Sequence, residues 1–90
     1  MGRISTAHRL IEELGEDDST EEVYLVVYDF IEEKPSSRFW SNLNEVIAVA
    51  GGCRVQYSVY YGCRRGARLV KALAELYGAD VRWYAAVELF

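Results

Sequence analysis

Apolar positions along the 90-residue chain fall into two rhythms, one of helical and one of strand period. Ala7, Leu10, Ile11 and Leu14 recur at three- and four-residue spacing behind Ser5 and Thr6, either of which suits a helix N-cap. Gly15 stands where such a helix would stop, and Glu16 to Glu22 is a charged connector without period. Val23 to Ile31 is β-branched and aromatic at successive positions, the mark of a strand covered on both faces. Lys34-Pro35-Ser36-Ser37 breaks that strand and offers a serine cap to a second helix. Its stripe is Phe39, Trp40, Leu43, Val46, Ile47 and Ala50, with Ser41, Asn42, Asn44 and Glu45 elsewhere, and Gly51-Gly52 ends it.

Arg54 to Tyr61 alternates: Val55, Tyr57, Val59 and Tyr61 point one way, Arg54, Gln56, Ser58 and Tyr60 the other. A bulge or tight turn inside this stretch would split it in two and shift the phase. Gly62 to Gly66 reads as a basic turn, and Arg68 to Tyr77 as a helix on Leu69, Val70, Leu73, Leu76 and Tyr77, stopped by Gly78. Val81 to Phe90 alternates again as a last strand. With the middle stretch split, the order is βαββαβ behind an extra helix. This predicts an α+β ferredoxin-like domain over residues 23–90, with an antiparallel sheet and both helices on one face, after a helical and acidic extension over residues 1–22. The other face then lacks helices, although the first strand is apolar on both sides. A second copy of the chain is the simplest cover, and the acidic leading helix is its rival.

Composition narrows the class of protein. Half of the residues are hydrophobic and one is proline, which excludes a disordered chain. The longest apolar runs, Val23 to Val27 and Val46 to Ala50, fall far short of a membrane span, and no secretory leader is visible; a cytoplasmic protein is expected. Cys53 and Cys63 are too few for a disulfide scaffold or a zinc site and read as free thiols. The net charge of −4 conceals a division. Residues 1–33 carry −8 and residues 34–90 carry +4, a bias that hints at an anionic partner.

Candidate chemistry is sparse. Asp29 is the one carboxylate inside an apolar strand; it either caps a loop or holds a hard cation such as Mg2+, two copies meeting in a two-fold dimer. Ser58 has no triad partner, His8 lies on the leading helix, and no glycine-rich phosphate loop exists. Arg54, Gln56, Ser58 and Tyr60, joined by Arg82 and Tyr84, interleave cations with tyrosines, which suits phosphate contact and stacking and equally suits a protein interface.

Tyr24-Leu25-Val26-Val27-Tyr28-Asp29-Phe30, then Arg38 opening a helix, then Arg54-Val55-Gln56-Tyr57-Ser58-Val59-Tyr60 behind a glycine resembles CRISPR-associated protein 2, over about Val23 to Leu89. The resemblance implies a homodimeric adaptor in spacer acquisition that binds duplex DNA and bridges subunits of the integrase, CRISPR-associated protein 1. It also implies a metal-dependent endonuclease activity, on duplex DNA or single-stranded RNA, with Asp29 as the Mg2+ ligand and Tyr28, Arg38 and Ser58 beside it. Arg38, Arg54 and Tyr60 match its nucleic-acid contacts, and Arg64, Arg65, Arg68 and Arg82 add to the expected phosphate-binding set. The chain departs from the family pattern in carrying Glu32-Glu33-Lys34-Pro35-Ser36-Ser37 where several bases usually precede the first helix, in its residues 1–22, and in stopping at Phe90. Two other expectations compete: a toxin-like endoribonuclease of a related ferredoxin-like family, using Asp29 and Arg38, and a regulatory domain for a small ligand.

Overall fold

A computed structural model describes residues 5–14, 23–31 and 34–86. Seven elements follow in the order α1 (Thr6–Leu14), β1 (Val23–Asp29), α2 (Ser37–Ala50), β2 (Cys53–Gln56), β3 (Val59–Cys63), α3 (Arg64–Leu76) and β4 (Asp80–Ala86). The four strands form one antiparallel sheet in the order β2-β3-β1-β4. That is the ferredoxin-like βαββαβ arrangement with a helix placed before it. Among the described residues no helix is long and apolar enough to cross a membrane.

The helices begin and end for local reasons. Ser36 Oγ accepts from Phe39 N at 3.2 Å and so caps α2, which stops where Gly51 turns to φ +80°. Ser5 is the cap of α1, accepting from His8 N at 3.0 Å. The third helix begins earlier than the sequence pattern indicates. Residues 64–66 are its first turn rather than a loop, because Cys63 Sγ accepts from Gly66 N at 3.4 Å and serves as its cap.

One core joins all the helices to one sheet face. Val26 and Tyr28 of β1, Tyr60 of β3, Phe39, Leu43 and Val46 of α2, Leu69, Val70 and Leu73 of α3, and Ala7 and Leu10 of α1 are buried together. The leading helix therefore packs on α2 and α3, on the helical side of the molecule. It does not cover the opposite face of the sheet. There, by strand alternation, Val23, Leu25 and Val27 of β1 stand beside Val59 of β3 and Tyr84 of β4, half-buried or exposed. The molecule is a slab 17 Å in its shortest dimension, the thickness of a sheet and one helical layer.

The phase of the middle stretch differs from its sequence pattern. A bulge between Arg54 and Gln56 and a two-residue turn at Tyr57-Ser58 pair Arg54 with Tyr60, and Gln56 with Val59. Arg54 and Tyr60 thus lie on the helical face, while Gln56 lies on the open one. Asn42, which the stripe of α2 leaves on the polar side, is buried instead. Its Oδ1 accepts from Ala7 N at 2.7 Å and its Nδ2 donates to Arg38 O at 2.7 Å, so it fastens α1 to α2. The helix stop at Gly15, the connector 16–22 and the end of the last strand at 87–90 lie outside the described residues.

Candidate nucleic-acid interface

Antiparallel pairing sorts the candidate residues to two ends of the sheet. β1 runs from Val23 to Asp29, β3 runs back from Val59 to Cys63, and β4 begins at Asp80 opposite Asp29. Asp29, Ser58 and the start of α2 therefore share one end. Arg64 and Arg65 sit at the other, where α3 begins. Seven strand residues at ~3.3 Å each put about 20 Å between the ends.

At the Asp29 end a cavity of about 430 Å3 opens between β1, the β2–β3 turn and α2; Tyr28, Asp29, Trp40, Tyr57 and Ser58 are among its lining residues. Three of the four residues expected to act on a substrate thus meet. Arg38 does not join them: it lines a separate cavity with Ser5, Asn42, Glu45 and Tyr77, on the α1 side. Tyr28 is fully buried, its hydroxyl donates to Tyr57 O at 3.4 Å, and burial pushes its pKa up to about 12, outweighing the opposing pull of Arg54. Such a phenol exchanges no proton near neutral pH. Asp29 is exposed and faces Asp80, its partner in register, with Arg82 one step along the same strand face. Among the described residues no three His, Cys, Asp or Glu side chains converge on a metal position.

Tyr60, expected to touch nucleic acid, is fully buried. Its hydroxyl donates to Gly51 O at 2.7 Å, and desolvation raises its pKa well above the usual tyrosine value. A methyl group at Gly52, Gly62 or Gly66 would overlap the Tyr60 phenol, so the glycines of the supposed basic turn form a socket for this ring. The residue is a core anchor. Arg54 is exposed, and its guanidinium lies 4.9 Å from the centre of the Trp40 ring. Trp40 in turn stacks on Tyr57, with centroids 4.9 Å apart and planes at 27°.

At the far end, Arg64 and Arg65 occupy the first turn of α3, which contains no acidic residue. Cations are disfavoured there, because the helix dipole places its positive end at the same spot. Arg65 Nε is buried and has no hydrogen-bond partner among the described residues. Arg68 follows on α3, lining a shallow cavity with Leu14, Lys71, Glu75 and Trp83, and Arg82 lies exposed on the open face.

Sequence reasoning missed Asp80 and the Trp40–Tyr57 pair. Asp80 carried a signal, an acid at the mouth of the last strand. Trp40 and Tyr57 are 17 positions apart, and only the turn at Tyr57-Ser58 brings them together. The chain matches no protein-family model, and no curated protein or solved structure matches it.

Proposed function

We propose that the protein is a two-fold dimer that binds duplex DNA and serves as an adaptor for an integrase in spacer acquisition. The observation that carries the DNA reading is the start of α3: two arginines lie at the positive end of a helix whose first turn holds no acid, and among the described residues Arg65 Nε has no hydrogen-bond partner. Anionic phosphate lies at the favourable end of the dipole and accepts from the accessible guanidinium nitrogens, which offsets the unfavourable placement of the two cations. Contacts of this kind read the backbone and not the bases. The sheet face around Leu25 and Val27, half-buried and covered by none of the described helices, supports the dimer, since a chain this small gains most from burying it against a copy of itself. The role beside CRISPR-associated protein 1 rests on the sequence resemblance.

The test is duplex binding by Arg64→Ala/Arg65→Ala. Affinity should drop about equally on unrelated sequences, and the salt dependence should become shallower by roughly two contacts' worth. A loss confined to one sequence overturns the phosphate assignment. Co-purification with CRISPR-associated protein 1 tests the adaptor role separately.

One observation favours a second reading, Mg2+-assisted cleavage. Asp29 and Asp80 stand opposite each other on the open face, and Mg2+ takes one or two carboxylates, its remaining places going to waters and phosphate oxygens. With Arg38 on another side of α2 and Tyr28 held protonated, the cations left near the pair are Arg82 on the open face and Lys34 on the cavity wall, fewer than the expected set, so turnover should be slow. Cleavage that persists in EDTA, or in Asp29→Ala, removes this reading.

A further inference from the structure

We infer that the cavity between the β2–β3 turn and the first turn of α2 is a stacking site for an unpaired nucleobase. Its size, about 430 Å3, is that of a small-molecule pocket. The wall that matters is the Trp40–Tyr57 stack, whose outer ring, Tyr57, is 61% exposed. An aromatic ring left this open at a turn serves as a platform if something holds it still, and four contacts do so. The Tyr28 hydroxyl donates to the carbonyl of Tyr57, Trp40 lies against Tyr57, and Trp40 is itself braced edge-on by Phe39 at 5.0 Å and capped by the Arg54 guanidinium. The platform is built before any ligand arrives, so stacking on it costs little ordering.

The polar groups around the platform select what lies on it. Lys34 on the cavity wall and Arg54 beside Trp40 supply positive charge for a sugar–phosphate backbone. Asp29 and Ser58 line the same cavity. A carboxylate repels phosphate and accepts hydrogen bonds, so it turns a bound nucleotide with its base inward and its phosphate toward the cations. Adenine, cytosine and guanine offer Asp29 an exocyclic amino group, whereas thymine offers only N3–H between two carbonyl oxygens that repel a carboxylate, so the amino-bearing bases are preferred. Bases within a duplex have both faces stacked and their pairing edges occupied. The site is therefore one for single strands, frayed ends or gaps. It is independent of the α3 arginines, which lie at the opposite end of the sheet.

The two tryptophans make the test direct. Trp83 stacks on Tyr24 at 5.2 Å, lines none of this cavity, and serves as an internal control for Trp40. Full-length 15N-labelled protein is titrated with the tetranucleotides dA4 and dT4, with a blunt duplex and with a proline-rich peptide, following both indole N–H resonances. With dA4 the Trp40 resonance should move and saturate while that of Trp83 stays. dT4 should bind several-fold more weakly, and the blunt duplex should leave Trp40 unmoved. Tyr57→Ala should lower dA4 affinity about 5- to 150-fold, the range of one base–aromatic stack, and Tyr57→Phe should restore it. Arg64→Ala/Arg65→Ala should not change the Trp40 response, so failure of the duplex reading and failure of this one are separable. Equal affinity of dA4 for Tyr57→Ala, a stationary Trp40 resonance, or a response to the peptide alone overturns the proposal.

Discussion

The phenol of Tyr60 fills a socket in which three backbone positions, Gly52, Gly62 and Gly66, have no room for a β-carbon. Interiors packed this closely respond to single atoms. Tyr60→Phe deletes the bond to Gly51 O and should cost about 1 kcal/mol in urea unfolding. Gly66→Ala would gain helix propensity of about 1 kcal/mol, yet its methyl meets the phenol, and a net loss of about 1–3 kcal/mol is expected. The double variant should recover part of that loss, because the clash is chiefly with the hydroxyl; additive losses would show that the socket is not shared. Asp29 sits in an opposite situation, exposed beside a like charge. Asp29→Asn should raise stability by a few tenths of a kcal/mol at low salt, and the gain should shrink in 1 M NaCl, checked by midpoint shifts in urea.

The attachment of α1 is specified by polar contacts as well as apolar ones. Ala7 and Leu10 enter the common core, but the register is set by Asn42 and by Ser5, whose hydroxyl donates to the Glu45 carboxylate at 2.8 Å. Asn42→Ala would strand the Ala7 amide in a buried place without a partner, a loss of about 1–3 kcal/mol. Hydrogen exchange should then accelerate in Thr6–Leu14 while β1 and β3 keep their protection, since the sheet does not depend on α1 for its ladder. Uniform acceleration through the sheet would mean that α1 and the ferredoxin-like unit open together. The same element rules out the rival to a second copy, in which the acidic leading helix shields the open face. Its apolar stripe was legible from Ala7, Leu10, Ile11 and Leu14; its docking place was not, because the buried Asn42 reads as a surface residue until Ala7 is set against it.

At the scale of the whole molecule, two buried tyrosines tie stability to alkaline pH. Tyr28 and Tyr60 hold their protons in the fold above the ordinary tyrosine value of about 10. Below that value both states are protonated and stability is unaffected. Between pH about 10 and 12 the unfolded chain loses these protons while the fold keeps them, so stability falls as pH rises. The slope should approach ~1.4 kcal/mol per pH unit for each tyrosine, and phenolate absorbance of these two should appear together with loss of helix signal. Tyr28→Phe should flatten the slope; an unchanged slope would show that Tyr28 titrates freely in the fold. The open sheet face supplies a further test. Leu25→Glu should convert the proposed dimer to a monomer by sedimentation equilibrium, with the fold intact, because that side chain lies outside the core; a wild-type chain that is already a monomer overturns the dimer.

The sequence by itself determined the kinds and order of the elements. Hydrophobic period is a local property, and serine caps, the Gly51-Gly52 stop and the paired alternating segments act within a few residues of where they lie. That Asp29 and Ser58 come near one another was implied only by the family resemblance, and the turn at Tyr57-Ser58 is what brings it about. Tertiary structure alone decided which face each residue of the middle stretch would take. One bulge at Arg54/Gln56 reverses the phase, and no pattern in RVQYSVYY reports it. It decided that Tyr60 is an anchor and not a contact, because Gly52, Gly62 and Gly66, contributed by the approach to β2, by β3 and by α3, leave the space its ring fills. It separated Arg38 from Asp29 and sent Arg64 and Arg65 to the far end of the sheet, and it set Trp40 against Tyr57 and Asp80 against Asp29. Each of these depends on the distance between elements that are remote along the chain, and that distance is fixed by how the whole core packs.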